Sequence, residues 1–215
     1  MLRLEVLPAG HGDCLWIEYG DPPSPRRILI DGGAKGTYKR ALQSRLERSG
    51  SELELLVVTH VDGDHITGIL ELIDKARSGI NPKDVWFNGF RHLPDEDPET
   101  LGPVQVEKLT DFLVSQQVPW NNCFDKEAVV VPEQGELPGR KLAGGLTLTL
   151  LSPTVQALRD LKPVWEKEVR KAGLDPNMAP VPEVAAEEGF ELLEAGPPDV
   201  EAFGHGALCR GRVGG

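Results

Sequence analysis

Leu55-Leu56-Val57-Val58-Thr59-His60-Val61-Asp62-Gly63-Asp64-His65-Ile66 holds the pattern that decides how this 215-residue chain reads. Its first four residues are apolar without alternation, which predicts a strand within 53–59 that is covered on both faces. From Ile66 onward, Ile66, Ile69, Leu70 and Ile73 share one helical face, which predicts a helix over 66–76. Between strand and helix lies a short loop with two histidines and two aspartates. Residues leaving the end of a central strand project at the sheet edge, where α/β proteins place ligand sites. Alternation puts His60 and Asp62 on one side of the loop, and the turn at Gly63 redirects Asp64 and His65 to a neighbouring point. Two imidazoles and two carboxylates suit zinc, manganese or iron. Two such ions about 3.5–4 Å apart could both be served. A calcium loop fails on spacing: counted from Asp62, Thr67 stands where glycine is needed and Ile73 where the bidentate glutamate is needed.

Working outward, Leu2 to Leu7 alternates apolar and polar residues as a half-buried strand does. Pro8 to Asp13 reads as a turn, Cys14 to Tyr19 as a second strand, and Arg27 to Ile30 as a third, broken by Asp31-Gly32-Gly33. Tyr38 to Arg48 reads as an amphipathic helix. Downstream, Asp84 to Asn88 and Val129 to Val131 read as short strands, Val104 to Gln116 and Val155 to Lys171 as helices. Leu146 to Leu151, ended by Pro153, is the clearest strand of all. Strands mixed with helices covering both faces predict a layered α/β fold. Gly32-Gly33-Ala34-Lys35-Gly36-Thr37 has the setting of a phosphate loop but lacks its Gly-Lys-Ser/Thr ending, so it reads as a tight turn. From Pro176 the chain turns rich in Pro, Glu and Ala, and 203–215 holds five glycines without periodicity. The expected organisation is one domain over 1–175 and a poorly structured or atypical tail over 176–215.

Composition narrows the function classes. Forty per cent apolar residues can fill a core, and no run approaches the roughly 18 apolar residues that span a membrane. Cys14, Cys123 and Cys209 are odd in number and scattered, which fits reduced thiols in a cytoplasmic protein. Cys14, opening an apolar strand, reads as a small core residue. A net charge of -11 disfavours extended contact with nucleic acid, although two basic clusters, 35–48 and 162–171, keep that partner open. They read as solvated helix faces. The four tryptophans read as packing. Oligomeric state is not legible.

The loop His60-x-Asp62-x-Asp64-His65 resembles the signature of the metallo-β-lactamase superfamily, with Asp62 where many members carry a second histidine. Together with Gly10-His11-Gly12-Asp13 and Ile28-Leu29-Ile30-Asp31-Gly32-Gly33, it resembles the branch that includes the hydrolase domain of ComEC-type DNA-uptake proteins. The resemblance covers about residues 1–75, with a weaker echo at Leu150-Leu151-Ser152-Pro153. It implies an αββα sandwich with two zinc ions (or manganese or iron) at the sheet edges. It further implies hydrolysis of a phosphoester or other ester-type small molecule by a metal-bound hydroxide. Carried over, His60 and Asp62 would hold the first metal, and Asp64 and His65 the second. Asp64 would also have the catalytic task of orienting the attacking water. Asp31 matches the carboxylate behind the ligand histidines, and Asp13 an acid near the same edge. For both aspartates, turn chemistry beside glycine is the competing account.

The family's later ligands, a bridging aspartate in Thr-Gly-Asp and a histidine in His-His-Gly, have no matching segment after residue 75. Only His92 and His205 follow, and His92, just after a strand, is the candidate additional ligand. The expectation is therefore the N-terminal half of the fold plus an insert, with the second half incomplete. The apolar face of Leu146 to Leu151 would then be short of cover. The alternative to an active hydrolase is a truncated, catalytically inactive metal-binding fragment.

Overall fold

The computed structural model describes residues 1–75, 80–94, 104–171 and 210–213. Strands β1 (Leu2–Val6), β2 (Leu15–Tyr19) and β3 (Arg26–Ile30) form an antiparallel meander. A helical turn at Tyr38–Leu42 runs into α1 (Gln43–Ser49), and the chain returns through β4 (Glu52–Leu53) to β5 (Leu55–Val57), parallel to β3. After α2 (Gly63–Lys75), the two-residue β6 (Asn81–Pro82) pairs with β4, and β7 (Val85–Trp86) joins β5 in parallel. The larger sheet has the order β1-β2-β3-β5-β7, and Trp120 extends it by one residue beyond β7. Helix α3 (Val104–Ser115) precedes that residue. A second, antiparallel sheet has the order β10-β9-β8, from β8 (Gly139–Lys141), β9 (Leu146–Thr149) and β10 (Arg210–Val213). Helix α4 (Val155–Lys171) lies between β9 and β10 in the chain.

The period-two alternation of the strands divides the core into two apolar layers. Leu29, Leu56 and Val58 face one way, into a cluster shared with Ile66 and Ile69 of α2, Leu109 of α3 and Trp165 of α4. Ile28, Ile30, Leu55 and Val57 face the other way, against Leu146 and Leu148 of β9. The unbroken apolar run in β5 thus has the reason expected of it, with a layer on each side. Trp165 stacks on Phe90 with ring centroids 6.0 Å apart, which anchors α4 to the helical side.

Among the described residues, α2, α3 and α4, with the partly buried Leu46 of α1 beside them, therefore contribute to the same face of the larger sheet, and the second sheet covers the other. This corrects the expectation of helices on both faces. The described residues form three layers, helix, sheet and sheet, of the αββα sandwich. The apolar face of Leu146 to Leu151 is not short of cover: Leu146, Leu148 and Leu150 are buried against the larger sheet. The strand expected over Asp84 to Asn88 shrinks to Val85–Trp86 because side chains take its backbone groups. Asp84 accepts from the N–H of Val85, Asn122 and Cys123, while the Asn121 side chain accepts from Phe87 N–H. Val129 to Val131 makes only an isolated bridge, Val131 with Thr154. The expected tail falls mostly outside the described residues, and its residues 210–213 pair with β9.

Candidate metal centre

Strands β3, β5 and β7 run parallel, so Asp31, Thr59 and Phe87 all leave the sheet at one edge. Asp31 adopts φ 56°, a left-handed conformation that Asp and Asn tolerate better than other residues. Gly32 and Gly68 are in backbone contact: a Cβ on Gly68 would overlap the Gly32 carbonyl. Gly32 N–H donates to His65 O (2.8 Å), and Gly68 N–H to Gly33 O (2.9 Å). The first turn of α2 is thereby held directly against the exit of β3. On the other side Gly12 packs on Asp64, whose carbonyl a Cβ at Gly12 would overlap. The Gly10-His11-Gly12-Asp13 turn therefore lies at this edge, with Asp13 itself exposed.

One buried carboxylate organises the site. Asp31 is 1% exposed; its Oδ1 accepts from Thr59 N–H (2.8 Å), and its Oδ2 accepts from the Thr59 hydroxyl (2.5 Å). Oδ2 also lies 3.0 Å from His65 Nδ1. A carboxylate only accepts, so His65 carries its proton on Nδ1. The Thr59 hydrogen points at Asp31, so Thr59 Oγ1, 2.8 Å from His60 Nδ1, accepts from that ring as well. Both imidazoles are thus fixed as Nδ1–H tautomers, one directly and one through a hydroxyl. Both Nε2 lone pairs are left for a ligand. The two rings lie 3.7 Å apart. Thr59 is the residue that sequence reasoning passed over, and its signal was the hydroxyl beside the first histidine of the loop.

Around the rings stand the two loop aspartates. His60 Nε2 is 3.8 Å from Asp62 Oδ2, and His65 Nε2 is 3.9 Å from Asp64 Oδ2. These gaps exceed hydrogen-bond length and slightly exceed the roughly 3.3 Å between donor atoms on one tetrahedral first-row ion. Donor atoms of Asp31, His60 and His65 all lie within 4.8 Å of one another. Burial, then the neighbouring His65, lowers the pKa of His60, against the pull of Asp62, Asp31 and Asp64. At His65 burial opposes protonation, but the hydrogen bond and charge of Asp31, with Asp64 and Asp13, outweigh it and raise the pKa. Imidazoles anchored at Nδ1 and backed by an acid, with Nε2 facing half-exposed carboxylates, are a donor set that fits a divalent transition metal.

The other candidates fall elsewhere. His92 is buried away from this cluster: its Nδ1 accepts from Gly89 N–H (3.1 Å), its other nitrogen donates to the Lys126 backbone, and its ring packs on Trp120 at 4.7 Å. With both nitrogens engaged it is a packing histidine, which corrects its expected place as an additional ligand. His205 lies outside the described residues. The phosphate-loop-like turn is filled by the protein itself, since Gly36 N–H donates to the Glu71 carboxylate (2.8 and 3.0 Å). Cys14 is fully buried and its thiol is pushed up to about 12, chiefly by burial, as an inert core residue requires.

A helix–sheet–sheet fold with paired histidines and aspartates on the loop after a central strand defines the class of metal-dependent hydrolases that work at a sheet edge. The sequence model of the metallo-beta-lactamase superfamily matches residues 8–115, about half of the chain, and the chain belongs to that superfamily. Among curated proteins, it is 26% identical over 121 residues to the exodeoxyribonuclease YycJ of Bacillus anthracis, covering 50% of this chain and 44% of that protein. It is 34% identical over 80 residues to the beta-lactamase-like protein 2 homolog of Caenorhabditis elegans, covering 33% and 27%. A third match, 28% over 177 residues (78% of this chain, 62% of the other), is the glutamate/glutamine/aspartate/asparagine transport ATP-binding protein BztD of Rhodobacter capsulatus. The sequence contains no Gly-x-x-x-x-Gly-Lys-Ser/Thr. The chain spans less than two thirds of the length of each of these relatives. Among the described residues, no helix is long and apolar enough to cross a membrane.

Proposed function

We propose that this chain is a metal-dependent phosphoesterase that holds its metal through His60 and Asp62 on one side and Asp64 and His65 on the other. The observation that carries the reading is the shared anchor of the two rings: Asp31 fixes both tautomers, leaving two Nε2 atoms beside two carboxylates. When bound, a divalent cation such as zinc, manganese or iron would supply Lewis-acid activation of water and of the ester. The protein's own tasks are to turn Nε2 of His60 and His65 toward the metal and to keep Asp31 buried behind them. Asp64, half exposed at the first turn of α2, would orient the attacking water, a role supported by its carboxylate lying 3.9 Å from His65 Nε2. A phosphodiester substrate is supported by the likeness to a protein named an exodeoxyribonuclease, and the net charge of -11 favours a short substrate over an extended strand. Asp62 in place of a second histidine, with the Gly-x-Gly-Asp turn seated on Asp64, supports the ComEC-type branch. Cys14 and Cys123, both free, support a cytoplasmic setting.

The test is metal content and hydrolysis of bis-p-nitrophenyl phosphate by the zinc- and manganese-loaded protein. Stoichiometric metal and turnover, both lost in His60→Ala/His65→Ala, are the expected result. The same metal content in that double variant would overturn the assignment. Metal binding without turnover would leave a metal-binding protein that is not a phosphoesterase.

A further inference from the structure

The outer strand of the larger sheet carries a self-complementary edge. Leu2, Leu4 and Val6 of β1 are 48%, 58% and 73% exposed, an apolar row on a strand with no neighbour on its outer side among the described residues. They pair with Tyr19, Ile17 and Leu15 of β2, so they lie on the face that the second sheet covers further along. Beyond that sheet's reach the row is left in solvent. A long apolar edge of this kind invites strand pairing, and natural proteins usually block it with a charge, a proline or a bulge. The row Leu2, Leu4 and Val6 has none of these.

Backbone phase says which groups point outward. Met1 and Gly20 exchange both backbone hydrogen bonds (2.6 and 3.0 Å), and Leu7 N–H donates to Cys14 O (2.8 Å). In an antiparallel ladder such pairs recur every second residue, so Arg3 and Glu5 bond to β2, while Leu2, Leu4 and Val6 turn their N–H and C=O outward. Those three residues are in phase for a second ladder centred on Leu4.

We propose that β1 is a homodimerisation edge, pairing antiparallel with β1 of a second copy about a two-fold axis at Leu4. In that register Leu4 meets the partner's Leu4, and Leu2 meets the partner's Val6, with two hydrogen bonds per pair. On the opposite face Arg3 meets the partner's Glu5, a charge match generated by the symmetry of Leu2-Arg3-Leu4-Glu5-Val6. The Arg3 side chain is 63% exposed and is held in its own chain only by the carboxylates of Glu5 and Glu18 on the same face. Glu5 Oε1 lies 2.6 Å from Arg3 of its own chain and Glu5 Oε2 contacts Arg45, so pairing across the axis exchanges each Glu5 from its own Arg3 to the partner's. The paired strands extend the larger sheet across the axis and join two exposed apolar rows into one.

One strand pair is small among specific interfaces, about 1,000 Å², so the test is sedimentation velocity from roughly 1 to 200 µM. The expected result is a concentration-dependent dimer of the 23.4 kDa chain that Leu4→Lys abolishes. R3E alone opposes carboxylates across the axis and E5R alone opposes guanidiniums, so each by itself is monomeric. Mixed in equal amounts, the two variants restore a dimer. Circular dichroism of each variant checks the fold, since Glu5 also contacts Arg45. A parent that stays monomeric throughout overturns the proposal. A dimer that survives Leu4→Lys, or a mixture of folded charge variants that does not associate, overturns it equally.

Discussion

Replacing Asp31 by asparagine tests the organising role of that carboxylate with the least collateral change. The side chains are nearly isosteric, and asparagine is the other residue that tolerates the φ of 56° found there, so the backbone has no reason to move. Oδ1 can still accept from Thr59 N–H. The change is at Oδ2, which accepts from the Thr59 hydroxyl and from His65 Nδ1. An amide there donates where the carboxylate accepted. The Thr59 hydroxyl can turn to accept, but it then loses its reason to receive a proton from His60. His65 can satisfy the amide only by presenting a bare Nδ1, which puts its proton on Nε2, the atom needed for the metal.

Metal binding in the variant must therefore reverse at least one tautomer against a hydrogen bond. One bond to a charged or polar group of this kind contributes about 1.5–3 kcal/mol. That corresponds to a metal affinity lower by about 10- to 100-fold, the range seen when such a supporting acid is removed. Stability should fall by about 1–3 kcal/mol, since a buried acceptor is lost while the fold persists. Zinc dissociation constants from competition with a chromophoric chelator, with urea unfolding on the same samples, measure both quantities. The His65 ring in the metal-free variant should also titrate at lower pH, readable by NMR, because the Asp31 hydrogen bond and charge are gone. A zinc dissociation constant within twofold of the parent's, in a folded variant, would refute the tautomer argument and reduce Asp31 to a turn residue.

Thr59→Val removes the relay to His60 while leaving Asp31–His65 intact, so zinc affinity should fall by about 10-fold, less than for Asp31→Asn; an equal loss would show that His60 does not depend on the relay. Gly12→Ala forces a methyl into the Asp64 carbonyl and should destabilise the fold by about 1–3 kcal/mol, seen in the urea midpoint, with weaker metal binding at Asp64. His92 is neutral in the fold, its pKa lowered to about 4 by burial first and then by Arg91. Its unfolded form takes up a proton below about 6.5, so stability is full above that pH and drops by up to about 3 kcal/mol as pH falls towards 4. Urea titrations at pH 4.5, 5.5 and 7 should show that slope, and His92→Gln should flatten it; equal slopes in both proteins would remove His92 as the cause. Leu148→Ala opens a cavity between the two sheets and should cost about 2–5 kcal/mol. A loss under about 1 kcal/mol by chemical denaturation would mean that the second sheet does not pack as described.

Much of the fold's first half was legible because its signals are local. Period two in Leu2 to Leu7, period 3.6 in Ile66 to Ile73, and an unbroken apolar run between them are imposed by backbone geometry on neighbouring residues. The strand over 84–88 was overestimated because its hydrogen bonds are taken by Asp84 and by Asn121, 34 residues away from Phe87. His92 looked available from its position after a strand. Its fate was set by Gly89, Trp120 and Lys126, two of them remote in sequence.

The sequence by itself determined the ligand types and their order, because a metal site needs imidazole and carboxylate donors at short spacing and these sit within six consecutive residues. It also determined that β5 would be central, since only a two-faced burial tolerates Leu55-Leu56-Val57-Val58. Tertiary structure alone decided that Asp31, 28 residues before Thr59 and 34 before His65, supplies the charge that sets both histidine tautomers. It decided too that the second sheet covers Ile28, Ile30, Leu55 and Val57, and that Leu2, Leu4 and Val6 stay outside that cover. A hydrogen bond or an apolar contact depends on distance in space, and periodicity along the chain records which face a residue takes but not what arrives to meet it.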